Sequence, residues 1–298
     1  MGKRKNLIRH TFGDKVFLCF DWIILTVFLI LLVYPLLYII SASFTAGASV
    51  MSLSLIPRRI SLVGYEAVFQ YKPIWTGYIN SLFYMAAGTV IALTVTVCCA
   101  YPLSRKDFKF GTVVTALCMI TMYFSGGTIP TFLQVRNLGL LGSRLAVLLP
   151  GAMSVYNMIV MRTYFKTQVP QEMLESAQMD GCGNLRFLLQ ILLPLSVPIL
   201  AVTGLFYAVG YWNSYFDAMM YLSSFRGKYP LSLILREILI LNETSIDTME
   251  VSEILQITER RDVMKYAVIV ISSLPVLVIY PFVQKYFVKG IMIGAVKG

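Results

Sequence analysis

The sequence predicts an all-α membrane protein with six transmembrane helices. Two observations lead to that prediction: 57% of the 298 residues are apolar while only 13% are charged, and the mean hydropathy is +0.73. A soluble domain usually carries about 25% charged residues. Much of this chain's surface is therefore expected to face lipid rather than water.

Six apolar runs are long enough to cross a bilayer as helices. The fourth is the least regular because Pro150 and Gly151 interrupt it, and we expect neighbouring helices to satisfy the backbone groups that this break frees. No internal repeat is evident, so we treat 1–298 as a single transmembrane domain. The six runs are about 16–40, 75–103, 112–133, 145–161, 194–222 and 266–282.

The charges flanking the first run predict its orientation. Five basic residues precede position 16, and none follows until Arg58. Because Lys and Arg concentrate on the cytoplasmic side, we place the N-terminus in the cytoplasm, and an even number of spans returns the C-terminus there. The small residues 41–43 resemble a signal cleavage site, but the preceding run is too long for a signal peptide.

The net charge of +10 could also suggest nucleic-acid binding. The basic residues, however, lie in short clusters between apolar runs and form no face that could follow a phosphate backbone. The five cysteines fall mostly inside apolar runs, which argues against a disulfide framework. The single histidine, His10, has no ligand partners nearby in sequence, so we expect no metal site.

Two long segments remain outside the predicted spans. One, at about 165–193, is cytoplasmic in this orientation. The other, at about 223–262, lies on the opposite side, and its acidic residues alternate with apolar ones such as Leu239 and Ile254. That second loop is too apolar for a linker, so we expect it to fold and contact another surface.

The cytoplasmic loop has the pattern of two short helices joined by a glycine turn. Pro170 suits a helix start, and Gly181 suits the left-handed residue that often ends one. A second helix, about 185–193, then leads into the fifth span. Carboxylates near the start of the first helix favour the positive end of its dipole, and small residues beside them let another surface approach. The residues that we assign to this contact surface are Glu172, Glu175, Ser176, Ala177, Asp180 and Gly181.

This loop also resembles a known motif. The spacing Glu-Ser-Ala, three residues, Gly, nine residues and Ile-x-Leu-Pro, from Glu175 to Pro194, resembles the EAA loop of binding-protein-dependent ABC importers. The one departure is Ser176, where that loop usually has alanine. The predicted position, between spans four and five on the cytoplasmic side, is also the position of the motif in that family.

Other short strings resemble one branch of that family. Together they are similar to the carbohydrate-uptake permeases, in particular the smaller permease subunit of the maltose importer. Residues 124–131 and 137–140 are similar to the lipoprotein/aldouronate-type subgroup. The remaining strings are Tyr78-Ile79-Asn80-Ser81-Leu82, Ala100-Tyr101-Pro102-Leu103-Ser104-Arg105, Trp212-Asn213, Tyr286-Phe287-Val288-Lys289-Gly290 and Gly294-Ala295-Val296-Lys297-Gly298.

The resemblance implies a fold, a function and a set of partners. The fold would be that of a type I ABC importer permease in the bacterial cytoplasmic membrane. The function would be import of a sugar or oligosaccharide, uronate-containing in the subgroup, delivered by an extracytoplasmic solute-binding protein. A second permease subunit, two ATPase subunits and membrane lipid would be its partners. The chain itself would bind no cofactor and catalyse no reaction, since it has no G-x-x-x-x-G-K-[ST] sequence and ATP and Mg would bind to the ATPase subunits.

The resemblance also implies roles for particular segments. The contact surface of the cytoplasmic loop would dock on an ATPase subunit, with Glu175 making the polar contact. The tail 290–298 would reach between the ATPase subunits, and the 223–262 loop would meet the solute-binding protein. The residues alone leave an alternative open for each segment. Glu175 would then be a solvated carboxylate, the tail a flexible basic segment and the loop a surface packed on the partner permease.

Polar side chains inside the spans are candidates for the translocation cavity, because burying them in lipid is costly. Hydrogen bonding between helices is the competing role, and Asp217 could reach water near its span end. The candidates are Asn80, Asn157, Asn213 and Asp217.

The sequence leaves three alternatives to a sugar permease. The main alternative is a same-type ABC permease for an amino acid or phosphate, against which the C-terminal pattern at 290–298 argues for sugars. An ion-coupled secondary transporter would show an internal repeat and buried mid-span charges, and the sequence shows neither. An intramembrane enzyme would need paired catalytic groups, and the sequence contains no such pair.

Overall fold

The structure is a computed structural model that describes residues 11–45, 60–240, 264–281 and 284. Over this part of the chain the fold is helical, and extended pairing is limited to one bridge between Thr45 and Ile60. The prediction of an all-α protein is confirmed. A π-helical turn, Leu188–Leu192, lies between the ninth and tenth helices, and a 3-10 turn, Arg226–Lys228, precedes the thirteenth.

In chain order the helices are α1 (Phe12–Ser43), α2 (Val63–Gln70), α3 (Lys72–Ser104), α4 (Gly111–Tyr123), α5 (Thr128–Asn137), α6 (Leu145–Leu148), α7 (Val155–Gln168), α8 (Gln171–Met179), α9 (Asn184–Phe187), α10 (Leu193–Leu195), α11 (Val197–Asn213), α12 (Phe216–Tyr221), α13 (Leu231–Ile240) and α14 (Met264–Pro281).

Three of these helices, α1, α3 and α14, are long and apolar enough to cross a membrane, and two bent helix pairs raise the number to as many as five. They correspond to the predicted first, second and sixth spans. Apolar side chains are exposed along most of α1, as a lipid-facing helix requires. The six-span count itself stays a prediction.

The predicted third and fifth spans are each interrupted. The third divides into α4 and α5, which meet at 114° where Gly126 and Gly127 lower the helix propensity. The fifth begins after a bend of 83° between Asn184–Leu195 and α11. It ends at Asn213, nine residues before the predicted limit of 222, and 216–221 form the separate helix α12.

The predicted fourth span is the most altered. Residues 149–154 form a non-helical break between α6 and α7, since a proline removes one helical hydrogen bond and blocks another. Tyr211 donates its hydroxyl hydrogen to the Leu148 carbonyl (2.9 Å), and the Ser154 amide donates to the Tyr207 hydroxyl (3.0 Å). Side chains of α11 therefore satisfy backbone groups at both ends of the break, as the sequence predicted of neighbouring helices.

The chain divides into two compact units. The first comprises Met1–Val68 and Ile246–Ile271. Within it, the rings of Tyr38 and Tyr266 meet edge to face with their centroids 6.0 Å apart. The hydroxyls of Ser43 and Tyr65 are 2.8 Å apart, so the C-terminal end of α1 is fixed by both aromatic and polar contacts.

The second unit comprises Phe69–Ser245 and Ser272–Gly298. Its central helix is α3, which packs along α11 and α7 and, near its N-terminal end, against α13. Gly77 makes the last contact possible, since a Cβ there would lie 2.5 Å from Ile234 Cδ1 and 3.1 Å from Leu231 Cα. Trp212 also donates from Nε1 to the Ser272 carbonyl (3.2 Å). The expectation of one domain over 1–298 stays a prediction.

Candidate functional site

The loop at about 165–193, predicted to be cytoplasmic, folds as its residues predict, with a glycine turn between two helices. Pro170 is the N-cap of α8 in an extended conformation, which suits a residue that cannot donate to the helix. At the other end Gly181 has φ +76°. The Gly181 amide donates to the Gln178 carbonyl (3.0 Å) and the Cys182 amide to the Ala177 carbonyl (2.9 Å). These two bonds define a Schellman cap, which satisfies carbonyls at the helix end.

The contact surface predicted for this loop is exposed, except for Ala177, which is half-buried. Gln171 donates from Nε2 to the Glu175 carboxylate over 2.9 Å, so one side chain of the same helix orients that acid. Three apolar side chains nearby are also exposed: Met173 by 38%, Met179 by 89% and Leu185 by 68%. Exposed apolar groups beside polar ones are typical of a surface that contacts another protein.

An apolar core lies behind the exposed face. Phe187, Leu188 and Leu192 are buried against side chains of α3 and α7, including Phe165. The inward-facing Leu174 of α8 packs on the same cluster. Burying a side chain of this kind stabilises a fold by about 1.5–3 kcal/mol, so α8 is attached to the helix bundle by its back.

Arg105 adds a polar connection between this loop and the C-terminal end of α3. Its Nη1 donates to Asn184 Oδ1 over 2.6 Å and to the Tyr101 hydroxyl over 3.0 Å. On its other side the guanidinium binds the Asp107 carboxylate through two hydrogen bonds of 2.5 and 2.8 Å. The hydrogen bond from Arg105 lowers the pKa of Asp107. The same pairing raises the pKa of Arg105, so both groups stay charged at neutral pH.

A groove of about 390 Å³ runs beside α8. The exposed carboxylate of Glu175 borders this concave surface, so a side chain of a partner protein could reach it there. Basic side chains, those of Arg105, Lys106 and Lys166, also line the groove. Residues lining the groove include Tyr101, Arg105, Lys166, Gln171, Glu175 and Gln178.

The loop joins the fifth span through an irregular stretch of helix. The π-helical turn Leu188–Leu192 is followed by Pro194 and by the 83° bend before α11. Turns of this kind recur at functional sites in helices. The Ser196 hydroxyl at the bend is buried without a hydrogen-bond partner among the described residues. The path from α8 to α11 therefore contains a π turn and a sharp bend rather than a continuous helix.

Asn80, one of the cavity candidates, has structural partners. Its Nδ2 donates to the Gly227 and Tyr229 carbonyls over 2.9 and 3.1 Å, and its Oδ1 accepts from Arg144 over 3.1 Å. The residue is only 2% exposed. These bonds favour the structural role that was weighed against cavity lining, although the cavity assignment itself stays a prediction.

The other three candidates differ in burial. Asn157 is buried near the start of α7, whereas Asn213 is exposed at the end of α11 and donates from Nδ2 to the Val209 carbonyl within its own helix (2.9 Å). Asp217 is half-buried in α12, beyond the end of α11. The four side chains therefore share no common hydrogen-bonded cluster in the part of the chain described, and their role in a cavity stays a prediction.

Sequence patterns did not single out several residues that the structure makes important. From sequence, Arg105 is named only as the last residue of the string 100–105, and no contact is assigned to it. Arg144, Lys228 and Tyr84 were not singled out at all, because their partners lie 64 to 144 residues away. The tail 290–298 and most of the 223–262 loop lie outside the described residues.

Comparison with known proteins identifies relatives that align with this chain over most of their length. No family model matches the chain. It is 40% identical over 271 residues to Protein LplC of Bacillus subtilis, covering 89% of this chain and 90% of the relative. It is 39% identical over 285 residues to the polygalacturonan/rhamnogalacturonan transport system permease protein YtcP of the same organism, covering 94% and 98%.

A solved structure matches the fold. It is the crystal structure of a bacterial ABC transporter involved in the import of the acidic polysaccharide alginate. The TM-score is 0.84 and the sequence identity 34%, and the match covers 93% of this chain and 99% of that one. The similarity therefore extends over nearly the whole length of both chains.

Proposed function

The chain belongs to the permease subunits of ABC importers, and we propose that it carries an acidic, uronate-containing oligosaccharide across the cytoplasmic membrane. The resemblance that the EAA loop indicated is confirmed by relatives 39–40% identical over most of their length. Membership in this family argues against the ion-coupled transporter and the intramembrane enzyme considered from sequence.

The substrate proposal rests on what the relatives transport. One carries polygalacturonan and rhamnogalacturonan, and the matched structure belongs to a transporter for alginate, an acidic polysaccharide. A galactooligosaccharide permease is also 30% identical to this chain. Sugar transport is common to all three, and the two polymers with acidic sugars belong to relatives at higher identity. We therefore favour a uronate oligosaccharide over a neutral one.

The proposed topology has six spans with both termini in the cytoplasm. Its support is the cluster of basic residues before α1 and the position of the EAA loop between the fourth and fifth spans. In this arrangement the bent pairs α4–α5 and α9–α11 each contribute one span, and the broken segment α6–α7 contributes another. The 223–262 loop then faces outward and the α8 surface faces the cytoplasm.

We propose that α8 docks in a groove on an ATPase subunit. The observation that carries this proposal is a short helix whose acidic and apolar face is exposed while its back is fixed to the bundle. Such a helix can seat its exposed face in a partner's groove. When ATP binding closes the motor, displacement of α8 would be transmitted through Arg105 to α3 and through the π turn to α11.

The remaining partners follow from the same proposal. A second permease subunit would complete the pathway as a heterodimer, and two ATPase subunits would bind ATP and Mg. A solute-binding protein would deliver the sugar to the outer face. No cofactor is assigned to the chain itself.

Co-purification with ATPase subunits tests the docking proposal. The permease pair and the ATPase subunits are co-expressed, and the ATPase retained on a tagged permease is measured. We expect Glu175→Lys and Gly181→Pro to reduce retention at least tenfold, since the first reverses a charge facing the partner and the second disrupts the helix cap.

The matched control is Glu66→Lys, the same charge reversal at an exposed helical position of α2. It should leave retention unchanged. Unaltered retention in both α8 variants would rule out this docking surface, and equal loss in the Glu66 control would show that the assay reports general instability.

A further inference from the structure

Two cations near the N-terminal end of α3 have no carboxylate partner among the described residues. They are Arg144, which precedes α6, and Lys228, which lies in the loop before α13. The ion pairs in the described part of the chain belong to other arginines, Arg105 with Asp107 and Arg226 with Glu237. Within the part of the chain that the structure describes, no carboxylate neutralises the charge of Arg144 or Lys228.

The position of Arg144 is set by polar and aromatic contacts. Its Nη2 donates to Oδ1 of the buried Asn80 (3.1 Å). The guanidinium lies 4.8 Å from the centre of the Phe83 ring. A guanidinium has five donor hydrogens in a fixed plane, so these contacts orient it and leave several donors unused. The residue remains exposed, which keeps those donors accessible.

Lys228 is held at the same junction. Its Nζ donates to the Gly142 carbonyl, two residues before Arg144, over 2.5 Å. The ammonium also lies 4.7 Å from the centre of the Phe225 ring. Asn80 connects the two cations, because the amide that accepts from Arg144 also donates to the Gly227 and Tyr229 carbonyls on either side of Lys228. Tyr84 donates to the Lys228 carbonyl itself (2.8 Å).

We propose that Arg144 and Lys228 form a binding site for the carboxylate of a uronate sugar on the outer face of the permease. This inference rests on the proposed function for its substrate class and for the side of the membrane. An oriented guanidinium pairs well with a carboxylate. Exposed rings beside the cations, Phe83 by 40% and Phe225 by 48%, offer apolar faces on which a sugar ring can lie.

The site gives Asn80 a definite role. Asn80 is a positioning residue: it sets the geometry of Arg144 and of the loop carrying Lys228 but stays buried away from the sugar. The chemistry that selects an acidic oligosaccharide then resides in the two cations. A neutral oligosaccharide would leave Arg144 and Lys228 without a counter-charge. The site therefore favours acidic over neutral sugars.

Transport by the complete complex tests this site. The permease pair, ATPase subunits and solute-binding protein are reconstituted in proteoliposomes, and uptake of trigalacturonate is compared with that of its methyl ester, which has the same shape without the charges. We expect Arg144→Gln and Lys228→Gln each to lower the acid-to-ester uptake ratio about tenfold, the effect of losing a hydrogen bond to a charged group. Arg144→Lys should retain part of the preference because it keeps the charge.

The control is Arg226→Gln, which removes a neighbouring cation already paired with Glu237 (2.8 Å). It should leave the ratio unchanged. Equal loss of acid and ester uptake in the Arg144 and Lys228 variants would overturn the site, because it would mean a purely structural role. A second result would also overturn the site: an unchanged acid-to-ester uptake ratio together with a higher concentration of binding protein needed for half-maximal ATPase stimulation. That result would mean that the two cations contact a carboxylate of the binding protein instead of the sugar. Uptake of neither probe by the unaltered complex would instead overturn the proposed function.

Discussion

The two ends of α3 hold two loops by different kinds of contact. At the C-terminal end, the α8 loop rests on apolar side chains and on the single arginine Arg105. At the N-terminal end, the 223–230 loop is held by hydrogen bonds from Asn80 and Tyr84 to its carbonyls. Apolar packing is non-directional, whereas hydrogen bonds demand fixed geometry. The first loop is therefore held mainly by burial, and the second mainly by directional bonds to α3.

The largest effect is expected from breaking the apolar attachment of the α8 loop. Phe187→Ala removes a ring that is 2% exposed and should destabilise the protein by about 3–5 kcal/mol. Thermal unfolding of the purified permease pair would measure this loss. Leu185→Ala, two residues away and 68% exposed, is the matched control: it should leave stability within about 0.5 kcal/mol yet reduce ATPase retention. Equal stability of the two variants would contradict the conclusion that Phe187 lies on the buried side of the α8 loop and Leu185 on its exposed side.

Breaking the polar attachment should have the next largest effect. Asn80→Leu keeps the branched shape of the side chain but leaves two carbonyls and the Arg144 guanidinium without their partner, at a cost of about 2–3 kcal/mol. Unfolding of the purified pair measures the change. Asn213→Leu, which removes only a bond within its own exposed helix end, should cost well under 1 kcal/mol. If both variants unfolded alike, the 223–230 loop would not depend on Asn80.

Arg105 allows the two kinds of contact to be compared at one loop. Arg105→Gln loses the charged hydrogen bonds to Asn184 and Asp107, worth about 1.5 kcal/mol in this partly exposed setting. Because α8 would still dock, ATP hydrolysis should persist while sugar uptake per ATP falls several-fold. A parallel assay of hydrolysis and uptake in proteoliposomes distinguishes this uncoupling from simple loss of complex. Uptake per ATP equal to that of the unaltered protein would show that the apolar core alone transmits the movement.

A smaller effect is expected at the turn after α8. Gly181→Ala places a side chain at φ +76° in open surroundings, so its cost is backbone strain alone, about 1 kcal/mol. Gly183→Ala has the same open surroundings but a φ of −72° and should be neutral. Circular dichroism melts of the two variants would test the difference. Identical melts would mean that the left-handed turn is not required.

The smallest effect concerns pH. The pKa of Asp107 is lowered by its hydrogen bond from Arg105, so the carboxylate is charged in the folded state at lower pH than in the unfolded chain. Its stabilisation is therefore complete well above about pH 4 and is lost as the pH falls through the lowered value. Because the Asp107 side chain is 64% exposed, the effect should stay below about 1 kcal/mol. The difference in the free energy of unfolding between Asp107→Asn and the unaltered protein should be constant from pH 6 to 8 and shrink toward pH 4. A change in this difference between pH 6 and 8 would mean that another group titrates there.

Local patterns predicted part of this molecule well. The long apolar runs became α1, α3 and α14, and Pro170 and Gly181 bound α8 as their backbone preferences require. The break in the fourth span was marked by Pro150 and Gly151. The bends in the third and fifth spans were not predicted, because overall hydropathy does not register where a helix changes direction. Asn80 and Arg144 could not be paired from sequence, since they are 64 residues apart and no periodicity relates them.

The break between α6 and α7 has a consequence for how the protein is made. In the proposed six-span topology, the backbone at both ends of the break is satisfied by hydroxyls of Tyr207 and Tyr211, which lie more than fifty residues later in the chain. Until the ribosome has synthesised α11, those groups would meet lipid without partners, at a cost of several kcal/mol each. The fourth segment should therefore wait in the translocation machinery and enter the bilayer together with the fifth, so that synthesis halted before Tyr207 leaves it uninserted.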